Sequence, residues 1–303
     1  MSNFLFKGFK KMLPKQEIEI NETIVNQLLI EQFPQLANLP ILFLGSGWDN
    51  VNYRLGTEYI IRIPRRKVAV KLLENEIEWL PKIKNQLPIP ISAAVFVGKP
   101  NGQIPWNWAI TPWFDGTTAA LKNLEAKEAI RLANFLKKLH QLPTKNMPHN
   151  AFRAVPVGKK IAEMQDRLDY LKTNTNYLTS KVQSLLETAM NEKNIKIDRF
   201  IHGDLHPFNI IQQDGKIRAI ADWGDMTNGN PATDLAVFWM LFNDKSARDA
   251  ALQTYQATQR QINMAIGWAI FYGSFFLYEG MTQPNESFEK LGKFVLGNVN
   301  GEK

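Results

Sequence analysis

No cysteine occurs anywhere in the 303-residue chain. Disulfides, Cys-ligated zinc and thiol nucleophiles are therefore excluded, and a reducing, cytoplasmic setting fits. Histidine is scarce too: His140, His149, His202 and His206 are the full set. The run His202-x-Asp204-x-His206 raises the reading of a metal-dependent hydrolase, but such sites gather several imidazoles from across the chain. Only His140 and His149 remain for that, with no ligand-like spacing. Long blocks of one charge are missing as well. The net charge is +7, yet lysine and arginine are spread along the chain with no basic block beyond the N-terminus. That argues against a nucleic-acid partner and leaves a minority of the cations for an anionic ligand such as a nucleotide. Finally, no stretch reads as a bilayer span. Residues 261–278 carry no charged side chain, but Asn263, Gly267, Gly273 and Ser274 interrupt them, which predicts a buried helix.

What is present describes a globular chain of one large domain or two lobes, with 45% hydrophobic and 21% charged residues. Residues 1–20 open with Phe4, Leu5, Phe6 and Phe9 among Lys7, Lys10, Lys11 and Lys15. A membrane-surface helix and a basic tail both fit, the tail being the simpler reading. The apolar core is too short for a secretory signal and no small-residue cleavage site follows. Asn21 is placed to cap a helix through Gln32. Short strands follow at 41–45, 50–55 and 58–63, separated by Gly45–Gly47 and Gly56-Thr57. A helix with Val70, Leu73, Ile77 and Leu80 on one face comes next, then two strands in ISAAVFVG and NWAITPW. From Trp113 the composition turns helical. Helices are expected in EAKEAIRLANFLKKLHQL, over 157–173, over 179–192 and from Thr233 onward. They are interrupted by a strand in FIHGD and a hairpin turning at Asp214-Gly215, read as one two-stranded insert. The expected division is a tail over 1–20, a β-rich N-terminal lobe over 21–112 and a helical C-terminal lobe over 113–303.

The chemistry concentrates in FIHGDLHPFNIIQQDGKIRAIADWGD. Phosphoryl transfer needs a carboxylate to orient the acceptor hydroxyl and take its proton, and oxygen ligands to hold Mg²⁺ on the phosphates. The general kinase pattern supplies a loop Asp, an Asn five residues on and a second Asp beyond a hairpin. Asp204, Asn209 and Asp222 fill those positions in order, which assigns Asp204 to catalysis and Asn209 and Asp222 to the metal. Pro231 and Asp234 follow within twelve residues of Asp222. No peptide-docking segment fits in that gap, so a small-molecule acceptor is favoured over a protein.

His202-Gly203-Asp204-Leu205-His206-Pro207-Phe208-Asn209 and Ala221-Asp222-Trp223-Gly224-Asp225 resemble the signature of the aminoglycoside phosphotransferase family. That family includes macrolide phosphotransferases and relatives of choline and homoserine kinases. GWDNVNYRLG, IIRIPRR, LENEIEWLPKI and GNPATDLA are similar to family segments in family order, so the resemblance spans about residues 40 to 300. It implies an α+β, bilobal protein-kinase-like fold, ATP or GTP as phosphate donor, Mg²⁺, and a small-molecule hydroxyl acceptor. At family level it suggests antibiotic resistance. It also implies that Ser46 and Gly47 lie in a turn covering the phosphates and that Trp113 lies in the segment beside the base. His202 and Asp234 would support the catalytic loop. Where the family places a lysine on the third strand, this chain has Arg62, with Glu76 as its pairing carboxylate and Glu74 and Glu78 as rivals. Arginine reaches phosphate but is no simple stand-in for lysine, which keeps an inactive nucleotide-binding pseudokinase as the alternative. For the acceptor, Asp225, Asp244, Glu279, Glu286 and Glu289 could serve a polycation. Trp239, Phe242, Trp268, Phe271, Tyr272, Phe275 and Tyr278 could instead line an apolar pocket.

Overall fold

A computed structural model of the chain describes residues 13–192 and 198–301. Residues 1–12 of the expected basic tail lie outside that range. Asn21 caps α1 (Glu22–Gln32), its side chain accepting from the Ile24 N–H at 3.0 Å. The chain then forms β1 (Ile41–Ser46), β2 (Asn50–Leu55), β3 (Tyr59–Pro64), α2 (Lys67–Ile83), β4 (Phe96–Gly98) and β5 (Trp108–Pro112). The five strands make one antiparallel sheet in the order β1-β2-β3-β5-β4.

Strand alternation decides which residues reach the site. Ile61 and Ile63 bury themselves with Val51, Tyr53 and the α1 residues Leu28 and Leu29 in the upper core. Arg62, between them, points to the opposite face, where α2 brings Glu76. The sheet uses less of ISAAVFVG than the pattern predicts, since only Phe96–Gly98 joins it. The first residues pair elsewhere: Ile91 forms a parallel bridge with Ile220, and the Ser92 N–H donates to the Ile220 carbonyl at 3.2 Å.

The larger part contains α3 (Lys127–Leu139), α4 (Ile161–Asn174), α5 (Ser180–Asn191), α6 (Ala232–Leu235), α7 (Val237–Leu241), α8 (Lys245–Tyr255), α9 (Gln259–Thr282) and α10 (Glu286–Asn300). Its core joins Phe135, Trp223, Phe238 and Trp268, and α2 contributes Trp79 and Leu80 to it. In α9, residues 264–274 are all buried, and α10 packs unusually close against this helix. A Cβ on Gly292 would lie 2.3 Å from the Leu277 nitrogen, so only glycine permits that approach. Among the described residues no helix is long and apolar enough to cross a membrane.

The expected two-stranded insert is instead two small sheets. β6 (Thr117–Thr118), β8 (Ile210–Gln213) and β9 (Lys216–Ile220) form one, while β7 (Arg199–Ile201) pairs with β10 (Thr227–Gly229) in the other. The hairpin turn falls at Asp214 and Gly215, with φ of 53° and 74°, the doubly left-handed geometry that suits a tight hairpin. The missed partners β6 and β10 are two and three residues long, too short to show an alternation. The outcome is a mixed helix and strand fold, with an N-terminal β-sheet region set against a larger helical part.

Candidate active site

The loop between β7 and β8 is held from beneath by one carboxylate. Asp234, fully buried on α6, accepts the His202 N–H at 2.8 Å and the Gly203 N–H at 2.9 Å. Its Oδ2 also lies 3.0 Å from His140 Nε2, and His140 Nδ1 lies 2.8 Å from the Tyr255 hydroxyl. Burial, and then the nearby Asp234 charge, push the Tyr255 phenol well above its usual range. Asp234 on α6, His140 at the end of α3 and Tyr255 on α8 thus form a chain of contacts beneath the loop. His202 itself is buried against Trp223, its ring nitrogens facing the Ala221 carbonyl at 3.1 Å and the Asp204 N–H at 3.3 Å. Gly203 adopts φ 84°, and a Cβ there would meet the Asp225 carbonyl oxygen at 2.5 Å.

Asp204 stands at the top of this loop. Its Oδ1 accepts from Arg153 Nη2 at 2.6 Å and from the Tyr272 hydroxyl at 3.1 Å. Among the described residues its Oδ2 meets only His206 Nε2, at 3.5 Å. Burial alone would raise the Asp204 carboxyl, but the guanidinium of Arg153, helped by His206 and His202, holds it well below the usual carboxylate range. Asp204 is thus an anion at neutral pH. Arg153→Gln is expected to move its titration upward, because the burial that opposes ionisation remains when the cation is gone. A ¹³C NMR titration of the Asp204 carboxyl checks this.

Arg153 is the residue that sequence reasoning missed. The Asn150 side-chain oxygen accepts from the Phe152 and Arg153 N–H groups, and its amide donates to Asp225 Oδ1 at 2.7 Å. Arg153 Nε and Nη2 each bond Asp225 Oδ2 at 3.1 Å. An Asx turn of this kind leaves only Asn-x-x-Arg in the sequence, which points to no particular partner.

Asn209 follows in a short 3₁₀ turn (Pro207–Asn209), its amide donating to the Asp204 carbonyl at 2.9 Å. Asp222 lies beyond β9 with φ 60° and its side chain 63% exposed. Across the cleft, Arg62 forks onto Glu76, with Nη1 to Oε2 and Nη2 to Oε1, and its Nη2 lies 3.7 Å from Asp222 Oδ1. Burial alone would lower the Arg62 guanidinium, but Glu76 outweighs it and raises it further. Glu78, one of the rivals, instead pairs with Lys82 on the surface. Asp49, in the turn after Gly47, bonds Arg66 at 2.9 Å, and both burial and the facing Asp222 raise its carboxyl. The turn itself is pinned: the Gly47 N–H donates to the Asn50 carbonyl, and Arg65 donates to the Gly47 carbonyl. Ser46 closes β1 opposite Val51. Trp113 lies where the chain leaves β5, its indole under the Arg54 guanidinium and bonded to Asp115.

Asp204 and Asn209 thus sit on one loop, and the Ala221 N–H beside Asp222 donates to the Asn209 carbonyl at 2.9 Å. Arg62 and Glu76 face Asp222, and Asp234 lies behind the loop. An all-oxygen pair, Asn209 and Asp222, suits magnesium. Among the described residues no group of three or more His, Asp or Glu side chains could hold a metal ion unaided.

A β-sheet lobe with a buried Arg–Glu fork, facing a helical lobe whose loop presents Asp and Asn, defines a kinase-like phosphotransfer fold. The profile of the phosphotransferase enzyme family (APH) matches residues 40–269, and the chain belongs to that family. It is thus a phosphotransferase. Its fold is similar to that of APH(2")-IIia, solved with GDP and kanamycin, at 17% identity and TM-score 0.66, over 92% of this chain and 99% of that one. It is also similar to APH(2")-IIa in a streptomycin–ATP ternary complex, at 17% identity and TM-score 0.59, over 92% and 99% of the two chains. A third similar structure is the macrolide 2'-phosphotransferase MphH from Brachybacterium faecium, at 13% identity and TM-score 0.59, over 93% and 98%. At these identities the likeness carries the fold alone. No curated protein sequence matches the chain.

Proposed function

We infer that this protein is a small-molecule kinase that transfers the γ-phosphate of ATP or GTP to an acceptor hydroxyl. The observation that carries the reading is the ionised Asp204 held on a buttressed loop that also bears Asn209, with the Arg62–Glu76 fork facing Asp222 beyond the hairpin. In this reading Asp204 Oδ2 orients the hydroxyl and takes its proton. The acceptor oxygen bonds the γ-phosphorus as the bond to the β-phosphate oxygen breaks, and the nucleoside diphosphate leaves. Arg62, oriented by Glu76, contacts the donor phosphates, with Ser46 and Gly47 above them and Trp113 beside the base. Asn209 and Asp222 hold Mg²⁺, which when bound neutralises phosphate charge. Catalysis is then positioning plus electrostatics. The relatives of known structure described with GDP, ADP or ATP support a nucleotide donor. Those described with kanamycin or streptomycin support a small hydroxylated acceptor and keep antibiotic modification in view.

Asp222→Ala tests the metal role. Nucleotide affinity measured by calorimetry is expected to fall about tenfold or more in the presence of Mg²⁺, and little in its absence. An equal loss in both conditions would refute a metal-holding role for Asp222.

A further inference from the structure

Three cations, Arg153, Lys160 and Arg167, lie on the segments and rings that lead away from Asp204. Arg153 binds Asp204 and Asp225, and its guanidinium lies 6.0 Å from the Tyr272 ring. Its neighbour Phe152 lies 5.1 Å from the Lys160 ammonium, which bonds Glu163 at 2.8 Å. Glu163 and Arg167 are four residues apart on α4, so they share a face. The Arg167 guanidinium carbon rests 5.0 Å from the Phe271 ring and 5.6 Å from the Phe275 ring. Phe271 then touches Tyr272, which donates to Asp204. Through Phe271 and Tyr272, Arg167 is thus linked to the candidate transfer point.

Arg167 differs from the other two cations. It is only 9% exposed, and its Nε is buried without a partner. Among the described residues its guanidinium makes no hydrogen bond and no ion pair; only ring faces and the more distant charges of Glu163 and Glu279 answer it. A buried guanidinium donor left unmet, as this Nε is, is costly unless something pairs with it. Its planar fork matches carboxylate and phosphate. The nearby carboxylates are already engaged: Glu163 with Lys160, Asp225 with Arg153 and Asn150, and Glu279 with Gln283 at 3.1 Å. The remaining acids that could have served a polycation are also committed. Asp244 caps α8, and Glu286 and Glu289 pair with Lys290 and Lys293.

We propose that the acceptor is a hydroxy compound bearing a carboxylate or phosphate group, which Arg167 binds while Asp204 receives the hydroxyl, and that polycations are poor acceptors. The proposal rests on the small-molecule kinase reading above and narrows its substrate class. It also assigns Arg167 as a specificity-determining residue.

The test does not require knowing the acceptor. A small-molecule cell extract is separated by ion exchange into cationic, neutral and anionic pools. Each pool is incubated with the full-length protein, Mg²⁺ and γ-³²P-labelled ATP or GTP, and kanamycin is run alongside as a defined polycation. Label is expected in products of the anionic pool, at ten times the yield of the cationic pool or of kanamycin. In Arg167→Met the KM for the labelled anionic acceptor should rise at least tenfold, while the nucleotide KM stays within twofold. Arg167→Lys should recover part of the loss, whereas a merely structural role would lower the melting temperature and leave KM unchanged. Label confined to the cationic or neutral pool, or to kanamycin, overturns the proposal and leaves the kinase reading standing. No label in any pool, with Mg-nucleotide binding intact, overturns it too. Failure to bind Mg-nucleotide at all is the separate failure of the kinase reading.

Discussion

Asp204→Asn is expected to lower kcat by roughly a thousandfold or more, the scale of a lost general base, while the protein folds and binds nucleotide normally. The geometry explains why asparagine is the informative replacement. Oδ1 of Asp204 is already committed to Arg153 and Tyr272, and an asparagine oxygen can accept from both. The other oxygen, which lies 3.5 Å from His206, becomes an amide nitrogen that donates and cannot take a proton. Shape is kept and basicity is lost. Circular dichroism and nucleotide titration should match the wild type within about twofold. A variant retaining near-normal turnover would remove Asp204 from the chemistry.

Asp234→Ala should cost stability and activity together. Its carboxylate receives two backbone N–H groups and faces His140, all inside a solvent-free core. Alanine would leave these three buried groups without an acceptor, at about 1–3 kcal/mol for each, or roughly 3–9 kcal/mol in sum. Because the two N–H groups belong to His202 and Gly203, the loop carrying Asp204 would lose its registration as well. Denaturant unfolding should show the stability loss, and residual activity should fall even where most molecules remain folded. Asp234→Asn, which keeps one acceptor oxygen, should lie between wild type and alanine. An alanine variant as stable as wild type would show that the loop is held by other contacts.

Much of this arrangement was legible in the sequence because its signals are local. Asn21 begins a helix by its own side chain, and Asp214-Gly215 turns a hairpin by its own backbone freedom. The spacing of Asp204, Asn209 and Asp222 follows from one loop and one hairpin. What stayed hidden depends on partners far away in the chain. Thr227–Gly229 is a strand only because Arg199–Ile201 lies beside it. Ile91 looks like part of the strand that follows, yet its backbone is claimed by Ile220. Arg153 carries no periodic or motif signal, since its position is fixed by Asn150, Asp225 and Tyr272. His140, considered in the sequence only for metals, serves instead to face Asp234.

The bridge between Ile91 and Ile220 has a mechanical consequence. The upper sheet connects to the lower strands covalently through residues 113–116, and a second time through the two hydrogen bonds that tie Pro90 and Ser92 to Ile220. With Trp79 and Leu80 of α2 also seated in the larger core, the sheet is tied to the helical part at several points, which resists twisting between them. The same ties hold the sheet face that bears Arg62 against Asp222, 3.7 Å away.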